Sequence, residues 1–207
     1  MARRSDNTRK ELKEMAIEAA LALLEESGIG ALSTRQIATR IGYTVGTLYN
    51  LFDDFEDIVL HLNAATLRDM YVVLAPRARS KKKPHQRILD IAHAYGDYAH
   101  AHPARWNLLH SAPRSTALPA WFHTDVQAMF TMVEAPLQEL PGITPQASRD
   151  AARVLWAGLH GICALGINQK LVRVAAGPTH ELIDNFVGHY LDGLAGSPLS
   201  STPPKAR

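Results

Sequence analysis

Residues 33–52 contain two short helical segments joined by a tight turn, and this segment constrains the fold more than any other part of the chain. Ser33 and Gln36 have the spacing of a capping box, in which a hydroxyl accepts a bond at the helix start and an amide reaches back. Gly42 follows the last apolar position, where a left-handed residue ends a helix at little steric cost. Thr44 is a good N-cap for the second helix. The segment is therefore predicted to form helix, turn and helix.

The spacing of apolar residues in this segment agrees with the caps. One face of each short helix is apolar, with Ile37, Ala38, Ile41, Val45 and Leu48. The outward positions are then left to Thr47, Tyr49 and Asn50. A third cap is predicted at Asp53 with Glu56, and it opens a helix from about residue 54 to 75. In a helix-turn-helix, the second helix enters the major groove of DNA. An ordinary well-capped helical corner has the same local pattern and remains the alternative.

Basic residues are concentrated near this segment although the net charge is only +2. They crowd the N-terminal arm and recur inside the motif, as Arg3, Arg4, Arg9, Lys10, Lys13, Arg35 and Arg40. A local basic face suits contact with phosphates, which dominate the affinity of proteins for DNA. For Arg3 and Arg4, a solvated terminus without a partner is an equal alternative.

Composition excludes several other classes of protein. No apolar run approaches the eighteen or so residues of a membrane span, and the N-terminus has no apolar stretch typical of a secretory signal. We therefore expect no membrane partner and a cytoplasmic location. Cys163 is the single cysteine, so an intramolecular disulfide is excluded. It lies in an apolar stretch and is predicted to be a small buried side chain, with a thiol sensor as the alternative.

The periodicity along the whole chain predicts an all-α protein of about nine helices. Besides the two short helices, the predicted ranges are 9–27, 54–75, 85–101, 103–111, 119–140 with a kink at Pro136, 144–174, and a last helix to about Leu194. We expect an N-terminal three-helix DNA-binding domain with its basic arm at 1–53, a ligand-binding and dimerisation domain at 54–195, and a disordered tail at 196–207.

Ten histidines raise the hypothesis of a metal site or an enzyme. His93 and His100 lie one heptad apart and could share a helix face, which leaves an all-helical metal-dependent enzyme as a distant alternative. The chain contains neither a HisGluXxxXxxHis pattern nor paired Cys-His spacing, and no serine elbow or phosphate-binding glycine loop. We therefore expect no catalytic residue, no metal and no cofactor.

The last two long helices resemble a partner surface. Residues 154–167 are apolar on all sides, and the final helix repeats apolar residues at spacings of three and four. Two such helices from each subunit would form an isologous four-helix interface. The residues predicted for it are Leu155, Gly158, Ile162, Leu182, Phe186 and Tyr190. A plain core helix is the alternative for 154–167.

The middle helices carry aromatic residues and methionine that could line a cavity. The candidates are Tyr95, Trp106, His110, Met129, Val133, Trp156 and His160. Walls of this kind, with few polar groups, suit a small and largely apolar ligand. Ordinary core packing gives the same spacing and stays open as the alternative.

The stretch LeuSerThrArgGlnIleAlaThrArgIleGlyTyrThrValGlyThrLeuTyrAsnLeuPhe (32–52), continued by AspAspPheGluAspIle (53–58), resembles the N-terminal domain of the TetR family of transcriptional regulators. The resemblance is specific over residues 9–60, and the nine-helix plan extends it to the whole chain. Trp156, His160 and Gly161 also resemble the Trp-His-Gly (WHG) signature of one subgroup. TyrAlaHisAlaHisPro (98–103) before Trp106 resembles that subgroup more weakly.

The resemblance implies a homodimer that binds a palindromic double-stranded DNA operator, usually as a repressor, and leaves it when a small-molecule effector binds. Thr34 and Arg35 are implied to meet the DNA backbone, and Tyr49 a phosphate. The groove-facing residues are implied to be Thr44, Val45, Gly46 and Thr47. Asn50 holds the variable position expected to read a base, because an amide can pair bidentately with adenine.

Two positions depart from the family pattern. Leu51 replaces a common histidine, and Phe55 replaces a lysine that usually contacts phosphate. Acidic residues surround this corner, so the N-terminal arm is expected to supply more of the positive charge. A ligand-independent architectural DNA-binding protein is the remaining alternative, and it would show uniform affinity and a steep salt dependence.

Overall fold

The computed structural model describes residues 7–111, 118–174 and 177–196. Within these ranges the chain forms nine α-helices and no strand, as the periodicity predicts. The helices are α1 (Arg9–Ser27), α2 (Thr34–Ile41), α3 (Val45–Tyr49), α4 (Phe55–Ala78), α5 (Pro84–Ala101), α6 (Pro103–Leu109), α7 (Ala120–Gln138), α8 (Pro145–Ile167) and α9 (Thr179–Gly196). Arg3, Arg4 and the expected disordered tail beyond residue 196 lie outside the described residues.

The chain divides into two compact units. The first comprises Met1–Arg68 and His102–His123, and the second comprises Asp69–Ala101 and Thr124–Arg207. The first half of α4 and the whole of α6 thus belong to the same unit as the helix-turn-helix segment. The division at 53 and 195 drawn from the sequence remains a prediction.

The first unit is built around one apolar cluster. Its members come from α1 to α4 and α6 and include Leu12, Leu24, Ile37, Leu48, Leu51, Phe52, Ile58, Leu62 and Leu108. Ile37 and Leu48 have no exposed surface, so both short helices are anchored by their apolar faces. Burying a side chain of this size contributes about 1.5–3 kcal/mol, which neither short helix could gain alone.

The second unit is held together by contacts among α5, α8 and α9. Its fully buried side chains include Leu74, Leu137, Leu155 and Ile183. The charged residue Arg87 is also buried, where it forms an ion pair with Glu139 and donates to the Ala78 carbonyl at 3.2 Å. The Arg87 guanidinium lowers the pKa of the Glu139 carboxyl.

The predicted caps are confirmed at three helix starts and shifted at a fourth. Ser33, Thr44 and Thr144 each accept a bond from the backbone N–H three residues on, at 3.2–3.3 Å. The cap predicted for Asp53 and Glu56 is wrong by one residue. Asp54 Oδ1 accepts from the Asp57 N–H at 2.7 Å, and Asp57 in turn accepts from the backbone N–H of residue 53. Neighbouring carboxylates compete for one helix start, and spacing alone did not choose between them.

Helix α4 passes through Pro76 and ends at Ala78, so the prediction that it stops near Ala75 is wrong. Proline removes one N–H from the helix ladder, but near a helix end little is lost. The remaining carbonyls of this turn find other donors. Arg77 donates to the Val73 carbonyl, and the Arg79 N–H bonds the Ala75 carbonyl at 3.2 Å.

Helix α8 ends at Ile167, so the predicted range of 144–174 is too long. The Asn168 side chain turns back to the Ala164 carbonyl at 2.7 Å, and Gln169 adopts a positive φ of 54°. A short 3₁₀ turn, Leu171–Val174, follows. Gln169 thus takes the left-handed position where glycine is usual, and the Lys170 N–H closes the helix end by bonding the Leu165 carbonyl at 2.9 Å.

Helix α4 is also long and apolar enough to cross a membrane by length and composition, with a mean hydropathy of 1.3 over its most apolar window. The expectation that no apolar run approaches that length is therefore wrong for this helix. Its buried residues Ile58, Leu62 and Met70 lie in the protein interior. In all, 44% of this window is buried inside the protein.

Candidate nucleic-acid interface

Helix α3 is a single short helix that presents polar side chains above one buried anchor. Thr44 caps its start, and Leu48 is fully buried. The side chain of Tyr49 is 54% exposed, and Asn50 is exposed next to it. This geometry leaves the outer face of α3 free for a partner surface.

The residues predicted to meet DNA fall into two groups. Arg35, Thr44, Gly46, Tyr49 and Asn50 are exposed, whereas Thr34, Val45 and Thr47 are half-buried. Thr34 is the first residue of α2, beside the Ser33 cap. Asn50 is the residue that caps the end of α3 rather than a residue within it. The predicted set therefore lies on α2, α3 and the end of α3, within the first unit.

Two basic residues of the N-terminal arm contact protein instead of lying free. Arg9 Nη2 donates to the Asn50 carbonyl at 3.1 Å. Lys13 Nζ lies 4.8 Å from the centre of the Phe52 ring, within the range of a cation–π contact. The sequence pattern missed both contacts, because they join residues about forty positions apart.

Arg40, which counted toward the basic face, is paired with an acidic neighbour. Its guanidinium forms two bonds to the Glu26 carboxylate at 2.5 and 2.7 Å. This pairing lowers the pKa of Glu26 and raises that of Arg40. Arg40 therefore offers less positive charge to a phosphate than Arg35 does.

The two departures from the family pattern are explained by packing. Leu51 is buried in the first cluster, and Phe55 packs against that cluster from the start of α4. The apolar side chain of Phe55 packs on this cluster, whereas a lysine at the same position would extend into solvent. The electrostatic contact that a lysine would make is thus replaced by a packing contact.

Helix α6 is tied to α1 within the first unit through one carboxylate. Glu25 Oε1 lies 2.8 Å from Arg105 Nε and 3.0 Å from His102 Nδ1. His102 is the N-cap of α6, and Arg105 lies in the first turn of that helix. A displacement of α6 would be transmitted to α1 through this ion pair.

The predicted ligand-lining residues do not form one set. Trp106 is 1% exposed and contacts His110 in the first unit, with ring centres 4.4 Å apart. In the second unit, Trp156 lies 5.9 Å from Phe130 and 5.7 Å from His160. Tyr95 is buried in that unit, and Met129 and Val133 are half-buried on α7. Burial lowers the pKa of His160.

A charged pair beside Trp156 was missed. Arg153 lies over the Phe130 ring at 5.0 Å, and its Nη1 donates to Glu134 at 3.2 Å. Glu134 is buried, and a glutamate side chain is rarely buried unless it is paired with a charge, as it is here. The α7–α8 contact therefore combines an aromatic surface with one ion pair.

The predicted dimer residues also separate. Leu155 is 2% exposed and packs inside the protomer, so it is removed from the dimer surface. Gly158 and Phe186 contact each other within the protomer. Ile162, Leu182 and Tyr190 are half-buried. The large apolar residues exposed on α8 are Val154, Trp156 and Leu165, and none of them is among the predicted dimer residues.

The two histidines of the metal hypothesis, His93 and His100, have ordinary hydrogen-bond partners. His93 bonds His180 and Asp184 at 2.7 Å each, and His100 Nδ1 bonds the Gly96 carbonyl at 2.9 Å. Among the described residues, no group of three or more His, Cys, Asp or Glu side chains could hold a metal ion. Cys163 is fully buried, and burial raises the pKa of its thiol to about 12. A buried neutral thiol does not suit a redox sensor.

Comparison with known families covers both units. A family model described as "Bacterial regulatory proteins, tetR family" matches residues 16–62, and one described as "Tetracyclin repressor-like, C-terminal domain" matches residues 88–190. The chain belongs to the TetR family. It is therefore a helix-turn-helix DNA-binding transcriptional regulator and not an enzyme.

One relative by sequence and one by structure are similar to most of this chain. An uncharacterized HTH-type transcriptional regulator of Mycobacterium tuberculosis is 29% identical over 157 residues, which are 74% of this chain and 69% of that protein. A solved structure of a protein of unknown function from Rhodococcus sp. RHA1 has a TM-score of 0.77 at 20% identity, covering 94% of this chain and 100% of that one.

Two further structures show the same fold in bound form. BioQ with its double-stranded DNA operator has a TM-score of 0.63 at 17% identity, covering 89% of this chain and 98% of that one. A TetR variant from Acinetobacter baumannii with minocycline has a TM-score of 0.63 at 16% identity, covering 89% and 98%. At this identity the likeness to the TetR-family structures is one of fold.

Proposed function

We propose that this TetR-family regulator is a homodimeric repressor that reads a palindromic operator through α3. The observation that carries the proposal is the outer face of α3, where Tyr49 and Asn50 are exposed above the buried Leu48. In this arrangement Tyr49 contacts a phosphate and Asn50 reads a base edge. Thr34 and Arg35 bind the DNA backbone, while Thr44, Val45, Gly46 and Thr47 approach the groove.

The proposal includes a dimer formed by α8 and α9. Val154 and Leu165 are 48% and 43% exposed, and they lie on one side of α8 with Gly161 between them. On α9, Leu182, Phe186 and Tyr190 are half-buried, and Phe186 packs on Gly158 of α8. Apolar surface of this kind on one side of two neighbouring helices suits an isologous contact. A two-fold dimer would place two reading helices about 34 Å apart, one helical turn of DNA.

The proposal also includes release by a small, largely apolar ligand bound in the second unit. Support comes from the aromatic contact of Trp156 with Phe130 and from the half-buried Met129, Val133 and His160 on the same helices. The A. baumannii relative is described with minocycline and BioQ with its operator, so both kinds of partner occur with this fold. The Glu134–Arg153 ion pair would let a ligand carry one polar group.

Two finer features belong to the same proposal. We propose that the C-terminal domain belongs to the WHG subgroup, and the support for this is the sequence resemblance of Trp156, His160 and Gly161. A regulator that binds operator DNA is expected in the cytoplasm. The single buried cysteine agrees with this location, because proteins of a reducing compartment rarely have disulfides.

The test is selection of bound duplexes from a random DNA library with purified full-length protein at near-physiological salt. Recovery of an inverted repeat with half-sites about one helical turn apart supports the dimeric operator reader. Recovery of DNA with no shared motif and a steep salt dependence supports an architectural role instead. Small molecules are then screened for release of the selected duplex and for quenching of tryptophan fluorescence, with Trp156→Phe as the control for the site.

A further inference from the structure

Helix α3, the proposed DNA-reading helix, has neither a glycine cap nor a basic residue at its C-terminal end. Helix α3 has five residues, and its last turn contains no basic residue. Its capping residue Asn50 has right-handed backbone angles, so the glycine-type cap common at helix ends is absent here. A helix of this length is not stable in isolation. The N–H groups of residues 50–52 bond the carbonyls of residues 46–48, and the Asn50 carbonyl that follows takes its donor from another helix.

Arg9 supplies such a donor from another helix. Its Nη2 atom donates to the Asn50 carbonyl at 3.1 Å, across 41 positions of sequence. A cation at the C-terminal end of a helix also interacts favourably with the helix dipole. Arg9 therefore takes the place of the basic residue that α3 does not contain.

The start of α1 is itself well ordered by local bonds. Thr8 and Glu11 form a complete capping box, with the Thr8 N–H bonded to Glu11 Oε2 at 2.7 Å and the Glu11 N–H bonded to Thr8 Oγ1 at 3.3 Å. The bonds that the Glu11 carboxylate accepts from the Thr8 N–H and from the Thr8 hydroxyl lower its pKa. One turn further, Lys13 lies over the ring of Phe52. Arg9 and Lys13 are four residues apart, so one face of α1 contacts both residue 50 and residue 52.

We propose that Arg9 is a positioning residue for base recognition, and not primarily a phosphate contact of the N-terminal arm. By bonding the Asn50 carbonyl, it fixes the end of α3 from which the Asn50 side chain projects. The inference rests on the proposed function, because it takes Asn50 as the base-reading residue. Loss of Arg9 then loosens the direction of the Asn50 amide while the phosphate contacts remain.

The decisive comparison is Arg9→Gln against Lys10→Gln. Lys10 is the adjacent residue, its side chain is 86% exposed, and its substitution removes the same charge. Affinity is measured for the selected operator and for the operator changed at the base pair assigned to Asn50, each at several salt concentrations. Arg9→Gln should reduce the ratio of the two affinities about tenfold, the effect of one charge-assisted hydrogen bond, and leave the salt dependence unchanged. Lys10→Gln should leave the ratio unchanged.

Two further variants separate positioning from direct contact. Arg9→Lys keeps the charge and one donor, so it should restore part of the affinity ratio. In an Asn50→Ala background, Arg9→Gln should change that ratio no further, because no amide remains to be oriented. A further reduction of the ratio in this background would mean that Arg9 itself reads DNA, and would overturn the proposal. Equal weakening on both sequences with a shallower salt dependence would overturn it as well.

A measurement without DNA keeps the two proposals distinguishable. The Asn50 N–H bonds the Gly46 carbonyl at 3.2 Å, so its hydrogen exchange reports the opening of α3. Arg9→Gln should accelerate this exchange in the free protein, and Lys10→Gln should not. Unchanged exchange would refute the positioning role even if operator binding is established. Failure of the wild-type protein to select any motif would instead refute the proposed function.

Discussion

The ring of Phe186 lies directly over Gly158, so that a Cβ atom at residue 158 would come within 2.1 Å of Phe186 Cζ. This contact joins α8 to α9 inside one protomer. Tyr190 stacks against the same ring at 6.1 Å and limits where the ring can move. The small residue at 158 thus serves the packing of the protomer first, and a partner subunit only through the surface that this packing creates.

Gly158→Ala is expected to lower the free energy of unfolding by about 1–3 kcal/mol, the usual cost of overpacking. Chemical denaturation at fixed protein concentration measures it. Gly188→Ala is the matched control, because no atom lies within 4 Å of the added Cβ and alanine favours a helix. Equal stability of the two variants would mean that the Phe186 ring moves aside freely.

Val154→Asp is expected to give monomers if α8 and α9 form the interface, because a carboxylate would be buried against an apolar partner surface. Phe186→Asp is a poorer test, since it also damages the contact with Gly158. Light scattering after size-exclusion chromatography gives the mass. Val72→Asp, at a more exposed residue of α4, should leave the mass unchanged. Dimers that survive Val154→Asp at micromolar concentration would move the interface elsewhere.

Arg35→Ala and Arg40→Ala are expected to differ although both remove a positive charge near α3. Arg35 is exposed, whereas Arg40 is paired with Glu26. Loss of one phosphate contact reduces the slope of log affinity against log salt by about one. We expect this reduction for Arg35→Ala and a smaller one for Arg40→Ala. The reverse order would show that the Glu26 pair opens when DNA binds.

Tyr49→Phe is expected to weaken binding to all sequences alike, because a lost phosphate contact carries no sequence information. Asn50→Ala is expected to relax preference at one base pair per half-site by about 1–3 kcal/mol. Binding to a set of single-base operator variants measures both. An unchanged preference after Asn50→Ala would remove this residue from the base-reading set, and the Arg9 proposal with it.

Cys163 is expected to resist thiol reagents in the native state, because burial raises the pKa of its thiol to about 12. A folded state that holds this proton more tightly than the unfolded chain loses stability as pH rises from about 9 to about 12. Labelling with and without denaturant tests the first point. Cys163→Ala should flatten the stability profile over that pH range. Rapid labelling of the native protein would restore the sensor hypothesis.

Much of the fold was predictable because helix starts and periodicity are local. The caps at Ser33, Thr44 and Thr144 depend on bonds that span three residues, so the sequence predicts them correctly. The family resemblance likewise rested on consecutive residues around α2 and α3. The cap at Asp54 and the passage of α4 through Pro76 were missed, since each depends on which of several neighbouring donors and acceptors finds a partner.

The roles of individual side chains were harder to predict. Leu155 and Val154 are adjacent and both apolar, and only the packing of α8 shows that one is buried and the other exposed. Arg9 and Arg40 are both basic, and only the folded chain brings them to the Asn50 carbonyl and to Glu26.

An all-helical TetR-family regulator was predictable from local features, because capping, apolar periodicity and the helix-turn-helix motif act over a few neighbouring residues. Only the folded chain shows which basic residues are free to meet phosphate, which small residues permit close helix packing, and which apolar residues face outward. These outcomes depend on contacts between residues far apart in sequence, such as Arg9 with Asn50 and Gly158 with Phe186. A pattern of neighbouring residues gives no information about the distance in space between residues that are far apart in sequence.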